Sequence, residues 1–366
     1  MLIFLQHTGF NTIFYIYLQK QTSDKSFNMK QVTIIIIMLL CAFTMSAQVK
    51  KSSPQKTIKY LNGDRYVGQT RNNQRHGEGI YYWTEGDKYD GEWTNDKEDG
   101  IGAKTYANGD FYVGEWKDGT IDGKGTYHWA NGDKYIGDFV NGKRTGKGTM
   151  HYANKERYEG EWKDDKRAGK GVMTYANNDK YDGEWENDMR SGNGTIQYGS
   201  GDKYDGPWSN DAQHGKGTYH WANGNRYEGE FEHGTIRGTG VMHYANGNRY
   251  EGLFENDAAN GKGLFYWADN SKHHGDKYNG EVKDGIPHGK GVYYYSNGDI
   301  YDGDFKNGKP NGYGKYNYRN GDRYEGDWAN GKRHGYGMYY HSDGRTQDGY
   351  YVDGVRSKRS KRRSSF

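Results

Sequence analysis

From Thr57 to Tyr351 the chain reads as short runs in which aromatic and polar residues alternate, divided by glycine and asparagine. Tyr112 to Lys134 shows the pattern. Tyr112, Gly114 and Trp116 alternate with Val113 and Glu115, the period of two expected of a half-buried strand. Gly123-Lys124-Gly125 opens a second run, in which Tyr127 and Trp129 alternate with Thr126 and His128. Lys117 to Asp122 reads as a polar loop between the two runs. Ala130-Asn131-Gly132-Asp133 follows, and Asn-Gly favours a type I′ turn, whose two central residues need positive φ. The unit therefore predicts a β-hairpin, with Asn-Gly turns joining one hairpin to the next. The pair recurs at Asn62-Gly63, Asn108-Gly109, Asn223-Gly224, Asn246-Gly247, Asn297-Gly298 and Asn320-Gly321, with Asp343-Gly344 as a substitute. At Asn154-Lys155 and Asn177-Asn178 the asparagine is expected to take the left-handed conformation itself.

The hairpin repeats. Tyr66, Tyr89, Tyr112, Tyr135, Tyr158, Tyr181, Tyr204, Tyr227, Tyr250, Tyr278, Tyr301 and Tyr324 each precede a glycine by two residues. They step by 23, except for one interval that is five residues longer. Such a period indicates one supersecondary unit stacked many times, each unit resting on its neighbours. An isolated hairpin would be unstable, so stacking must supply the stability. Glycine inside a strand is a weakness unless something uses the missing side chain. Gly114 shares a face with Tyr112 and Trp116, and a ring from the adjacent strand is expected to cover the notch. One face would then be an aromatic layer, the other a solvated surface of Glu, Asp, Lys, Thr and His. Thr57–Tyr60 and Gln347–Tyr351 read as partial units at the two ends.

Composition changes the picture little. Hydrophobic residues make up 32%, mean hydropathy is −1.21 and there are 57 glycines, values that alone suggest disorder. Aromatics at 16% of the chain bury enough area to offset this. The net charge of +3 is segregated: +3 in residues 1–50, +6 from Arg356 to Phe366, and −6 between them. A mildly acidic body is a poor match to a nucleic-acid binder, whose basic charge should lie along the binding face. Cys41 is the only cysteine, and it lies in the leader, which leaves no thiol for a disulfide, a zinc-cysteine site or a nucleophile in the mature chain.

Met29-Lys30, the apolar run Val32–Phe43 and Thr44-Met45-Ser46-Ala47 match a secretory signal peptide, with cleavage after Ala47. The apolar core is short for a membrane span. Residues 1–28 then read as an upstream extension that is not translated, 29–47 as the signal peptide, 48–56 as a linker, 57–351 as the array and 352–366 as a basic, disordered tail. The expected location is periplasmic, cell-surface or extracellular. The alternative is an uncleaved segment that anchors the chain to a membrane.

The unit resembles the MORN repeat, with its pattern Y-x-G-x-W-x-x-G-x-x-x-G-x-G. Tyr89-Asp90-Gly91-Glu92-Trp93, Tyr158-Glu159-Gly160-Glu161-Trp162 and Tyr324-Glu325-Gly326-Asp327-Trp328 carry the likeness. The glycine pairs Gly77/Gly79, Gly100/Gly102 and Gly123/Gly125 through Gly335/Gly337 stay in register. Departures are Thr70 and Val282 at the tryptophan position, Pro207 within a strand, and the stretched linker Asp269–Lys277. The resemblance implies an all-β fold: an elongated, twisted, single-layer antiparallel sheet of stacked hairpins, grooved on one face. It further implies a non-catalytic scaffold or tether that binds protein, with phospholipid as a rival ligand.

Candidate chemistry is thin. His76, His214, His288 and His334 all precede the first glycine of a pair, a periodic placement that points to loop chemistry. His273-His274 sits in the irregular linker, where a solvated loop outweighs a metal site. Gly142-Lys143-Arg144-Thr145-Gly146-Lys147 lacks the spacing of a P-loop, and Gly148 stands where Ser or Thr is needed. No cofactor or metal is expected. The partner-binding candidates are Tyr127, Trp129, Tyr219, Trp221, Phe265, Trp267, Tyr293 and Tyr295, because Tyr and Trp dominate interface hot spots. Arg356, Lys358, Arg359, Lys361, Arg362 and Arg363 are candidates for an anionic lipid or wall polymer. Glycan stacking on the aromatic face is the other alternative to protein binding.

Overall fold

The computed structural model describes residues 54–268 and 275–357. The extension, the signal peptide, His273-His274 and Lys358 to Arg363 lie outside the described residues. Within them there are 28 strands and no helix, in one open antiparallel sheet running from Lys56–Lys59 to Val355–Arg356. Strands pair with their neighbours in sequence, as Phe111–Lys117 does with Lys97–Thr105 before it and Thr120–His128 after it. Ala212–Gln213 and Gly215–His220 are two pieces of one strand, both paired with Lys203–Ser209. The single-layer sheet of stacked hairpins expected from the pattern is therefore observed.

The turns differ from expectation. Lys117 pairs directly with Thr120, so the predicted six-residue loop shrinks to Asp118-Gly119, with φ of +51° and +86°. This is the two-residue, doubly left-handed hairpin loop. It recurs from Asn72-Asn73 to Asp353-Gly354, with Asn or Asp leading everywhere except at His233-Gly234. The Asn-Gly junction is a different turn. Gly132 N–H donates to Trp129 C=O, and Trp129 N–H to Asp133 C=O, both at 3.0 Å. Only Gly132 is left-handed, at φ +99°. Ala130-Asn131-Gly132 is thus a three-residue loop in which Asn131 keeps negative φ. Where the glycine is missing, Lys155 and Asn178 take its φ, at +74° and +69°, not the asparagine before them.

A bulge explains the first glycine of each pair. Gly114 pairs with Gly125, but Trp116 pairs with Ile121, so three residues bow out opposite Glu115. Gly123 sits in the bow at φ +111°, which a side chain resists. The Tyr112 hydroxyl donates to the Glu115 carbonyl at 3.0 Å, satisfying a group at the disrupted ladder. Pro207 occupies the Glu115 position of its own unit. It pairs on one side with Asn193, and its carbonyl accepts from Tyr204 Oη and His214 N–H. Proline is tolerated at a bulge because a missing N–H is cheapest there.

The second glycine of each pair joins the strand glycines in a line across the sheet, running Gly102, Gly114, Gly125, Gly137, Gly148 through neighbouring strands. A Cβ at Gly125 would lie 2.3 Å from Tyr112 Oη, and one at Gly114 2.4 Å from it. The covering ring thus comes from the repeat's own tyrosine, two residues upstream of Gly114. It lies over both glycines at once, which corrects the expectation of a ring from the adjacent strand alone. All twelve repeat tyrosines are 0% exposed. Burial pushes the Tyr66 and Tyr250 phenols up to about 12.

Tryptophan ties one unit to the next. Trp116 meets Tyr89 of the preceding unit edge-on at 5.2 Å and its own Tyr112 at 5.4 Å. Its indole N–H donates to the Gly102 carbonyl at 3.3 Å. Phe139, Phe231, Phe254, Phe305 and Val282 fill this position elsewhere and are equally buried.

Candidate interaction face

Beyond the tyrosine row, the same face carries a second file of rings along the array. Tyr106 stacks on Tyr127, with ring centres 6.1 Å apart, and Tyr127 meets Trp129 at 4.6 Å. Trp267, Tyr293, Tyr295, Tyr316 and Tyr318 continue it at 4.4–5.6 Å. Phe265 and Tyr293 are buried in the file, while Tyr127, Trp129, Tyr219, Trp221, Trp267 and Tyr295 are half-buried. All eight candidate residues thus lie on one face, with six presenting part of a ring to solvent. Between them and the next stretch, Met150, Met173 and Ile196 replace the inner ring. Here a depression of about 610 Å³ opens, lined by Tyr175, Tyr198, Arg190, Glu156, Asp179 and His233 among others.

Two clasps, both absent from the sequence reading, hold this face in register. The residue after the junction glycine, an aspartate at Asp64, Asp110, Asp133, Asp299 and Asp322 and an asparagine at Asn225 and Asn248, reaches to the following junction. Asp110 accepts from Tyr127 Oη at 3.0 Å and from Ala130 N–H at 2.8 Å. Asp322 does the same with Tyr339 and Ser342, at 2.8 Å each. The second clasp is arginine. Arg167 lies over the Trp185 ring at 4.2 Å, donates through Nε to Asp188 Oδ1 and through Nη2 to the Asp188 carbonyl. Arg75, Arg144 and Arg190 repeat it with Asp96, Asp165 and Asp211.

The aspartate clasp has a pH signature. The Thr84 N–H leads the causes that hold the Asp64 carboxyl below the ordinary 3.8. For Asp322 the Tyr339 hydroxyl leads, then the Ser342 N–H. A carboxyl whose folded value is depressed contributes stability that is full above the unfolded value and is lost as pH falls through the folded one. The melting temperature is therefore expected to hold from neutral pH down to about 4 and to drop below it. Asp322→Asn should flatten that acid limb, as circular dichroism melts across pH would show.

The opposite face is not uniformly polar. Ladders such as Lys124–Asp138 and Lys290–Asp304 line it, yet Val113, Ile136 and Val172 share its rows. The four periodic histidines lie at separate bulges: Tyr278 Oη reaches the His288 carbonyl, and His334 lies 4.0 Å from Asp353. Among the described residues no three His, Cys, Asp or Glu side chains converge as a metal requires. Gly146-Lys147-Gly148 sits within a strand, without the helix a phosphate loop needs. Arg356 donates to the Asp348 carbonyl at 2.6 Å, so this member of the basic run is engaged with the sheet.

The geometry defines a single-sheet repeat protein, built from hairpins of one design with a bulged glycine pair. A family model described as "MORN repeat" matches twelve segments, from 66–88 through 250–272 and from 278–300 to 324–344. The chain belongs to the MORN-repeat family. Comparison with curated proteins finds no match. Among solved structures, the TCP10 domain of Danio rerio CPAP is similar at TM-score 0.32 and 11% identity, covering 55% of this chain and 98% of that one. The TCP10c domain of Drosophila melanogaster Sas-4 gives TM-score 0.24 and 12% identity, covering 56% and 99%. Virginiamycin B lyase from Staphylococcus aureus gives TM-score 0.13 and 10% identity, covering 83% and 86%. Superpositions this loose carry no functional inference.

Proposed function

We propose that the chain is a non-catalytic, exported scaffold whose aromatic face binds a protein partner. The observation that carries this reading is the file of half-buried rings, held rigid by the aspartate and arginine clasps. Pre-organised aromatics lose little entropy on binding and make good anchors. Sites repeated every 23 residues favour an extended contact over a single reactive centre. The signal-peptide pattern at 29–47 supports the exported location. An anionic phospholipid or a glycan is the competing ligand, favoured by the basic run from Arg356 to Arg363 and by the exposed ring edges respectively.

Pull-down from a cell-envelope extract tests this. The triple variant Trp129→Ala, Trp221→Ala, Tyr295→Ala should lose a protein that the native chain captures. Co-sedimentation with anionic liposomes or wall polymer that survives in place of protein capture would favour the rival reading. A turnover abolished by one substitution would refute both.

A further inference from the structure

We propose that the two ends of the array are the two halves of one repeat, and that a second copy of this chain completes it. Strand Lys56–Lys59 of one copy pairs with Thr346–Gly349 of the next. The repeat step sets the register. Lys56–Lys59 stands where Gly125–His128 stands in an internal unit, and Tyr60 where Trp129 stands. At the other end Thr346–Val352 matches Phe111–Lys117, Asp353-Gly354 makes the same doubly left-handed loop, and Val355–Arg356 matches Thr120-Ile121. Among the described residues, the strand half that follows Arg356 in an internal unit is present only at the opposite end.

Three pairs of residues at the two ends complement one another across this junction. The first is a seat and its occupant. Internal junction glycines are covered by the next turn: a Cβ on Gly86 would meet Ala107 at 3.2 Å, and one on Gly109 would meet Ala130 at 3.3 Å. Gly344 has nothing within 4 Å. Leu61 occupies the Ala107 position of the first turn and is 110% exposed, the most exposed large hydrophobic of the array. Docking puts Leu61 on Gly344. The second pair is Gln347 and Lys56. Gln347 replaces the buried tyrosine whose ring forbids any side chain opposite it, and Lys56 replaces the glycine that the ring demands. The third is Arg345 and Ile58. Arg345 stands in place of the clasp aspartate, Ile58 in place of the tyrosine that would donate to it. Neither a carboxylate nor a phenol is left without its counterpart.

In the single copy Arg356 lies against Gly349 and bonds the Asp348 carbonyl, so it competes for this lane and docking displaces it. The contact joins unlike ends. Each added copy presents a fresh end, and assembly is linear unless the rotation closes.

Sedimentation velocity of the full chain at rising concentration tests the inference. Masses should climb in single-protomer steps past the dimer. Leu61→Asp changes a fully exposed side chain, so circular dichroism and melting stay unchanged, while the association Kd rises by about tenfold or more. Arg356→Ala should shift association to lower concentration. With Cys41 replaced by serine, Thr57→Cys and Asp348→Cys in one chain should give an oxidised ladder of copies. A monomer at every concentration, a dimer that goes no further, or association that Leu61→Asp leaves intact would overturn the proposal.

Discussion

Gly171→Val is expected to break the middle of the array. A Cβ there would lie 2.3 Å from Tyr158 Oη and 2.5 Å from its Cζ. That ring is 0% exposed and is flanked edge-on by Trp162 and Trp185 at 5.2 and 5.4 Å. It has no empty space to enter. Overpacking of this kind costs about 3 kcal/mol or more when the neighbour cannot yield. In a stacked array the loss falls on the interfaces around one unit, so the single melt should split into two as the flanking segments uncouple. Calorimetry reads this directly. Lys170→Val, one residue earlier on the exposed face, should change melting by no more than about 0.5 kcal/mol. A Gly171→Val protein that melts like the native chain would remove the basis for the glycine line.

Tyr181 should divide into a large ring contribution and a smaller hydroxyl one. The ring is sandwiched between Trp185 and Trp208 at 5.2 and 5.3 Å and covers Gly183 and Gly194. Tyr181→Ala empties that space and should cost about 4 kcal/mol, as aromatic-to-alanine changes in cores do. Tyr181→Phe keeps the ring but leaves the Glu184 carbonyl without the donor 2.9 Å away, for about 1–2 kcal/mol. Urea unfolding of the two variants separates these values. Tryptophan emission should shift red in the alanine variant only, because Trp185 and Trp208 become wet.

The hairpin, its period and the identity of the inward face were legible because alternation and a fixed step are local signals. What escaped was everything set by two residues distant in sequence. Asn131-Gly132 carries the statistical mark of the doubly left-handed turn, yet Asp118-Gly119 makes it. The difference is loop length: Lys117 pairs with Thr120, leaving two residues, whereas the junction has three and needs one glycine. The role of Gly123 was hidden because a bulge is a mismatch between two strands. Asp110 follows a turn in sequence, but its partners Tyr127 and Ala130 lie 17 and 20 residues on. Nothing near Arg167 in sequence marks its role, because its ring, Trp185, and its carboxylate, Asp188, belong to the next unit. Of the candidate face, residue type and side were readable, but the burial of Phe265 and Tyr293 beside half-open Trp221 was not, since the same alternation describes both.

The long interval between Tyr250 and Tyr278 shows what the architecture tolerates. Its extra residues fall between strands Ala258–Tyr266 and Lys277–Lys283, and Gly263 still meets Gly280. Internal gene duplication can therefore add or delete whole units, and small insertions can accumulate at the junctions, without any residue elsewhere having to change. Copy number becomes an evolutionary dial for reach, turned independently of the chemistry displayed along it.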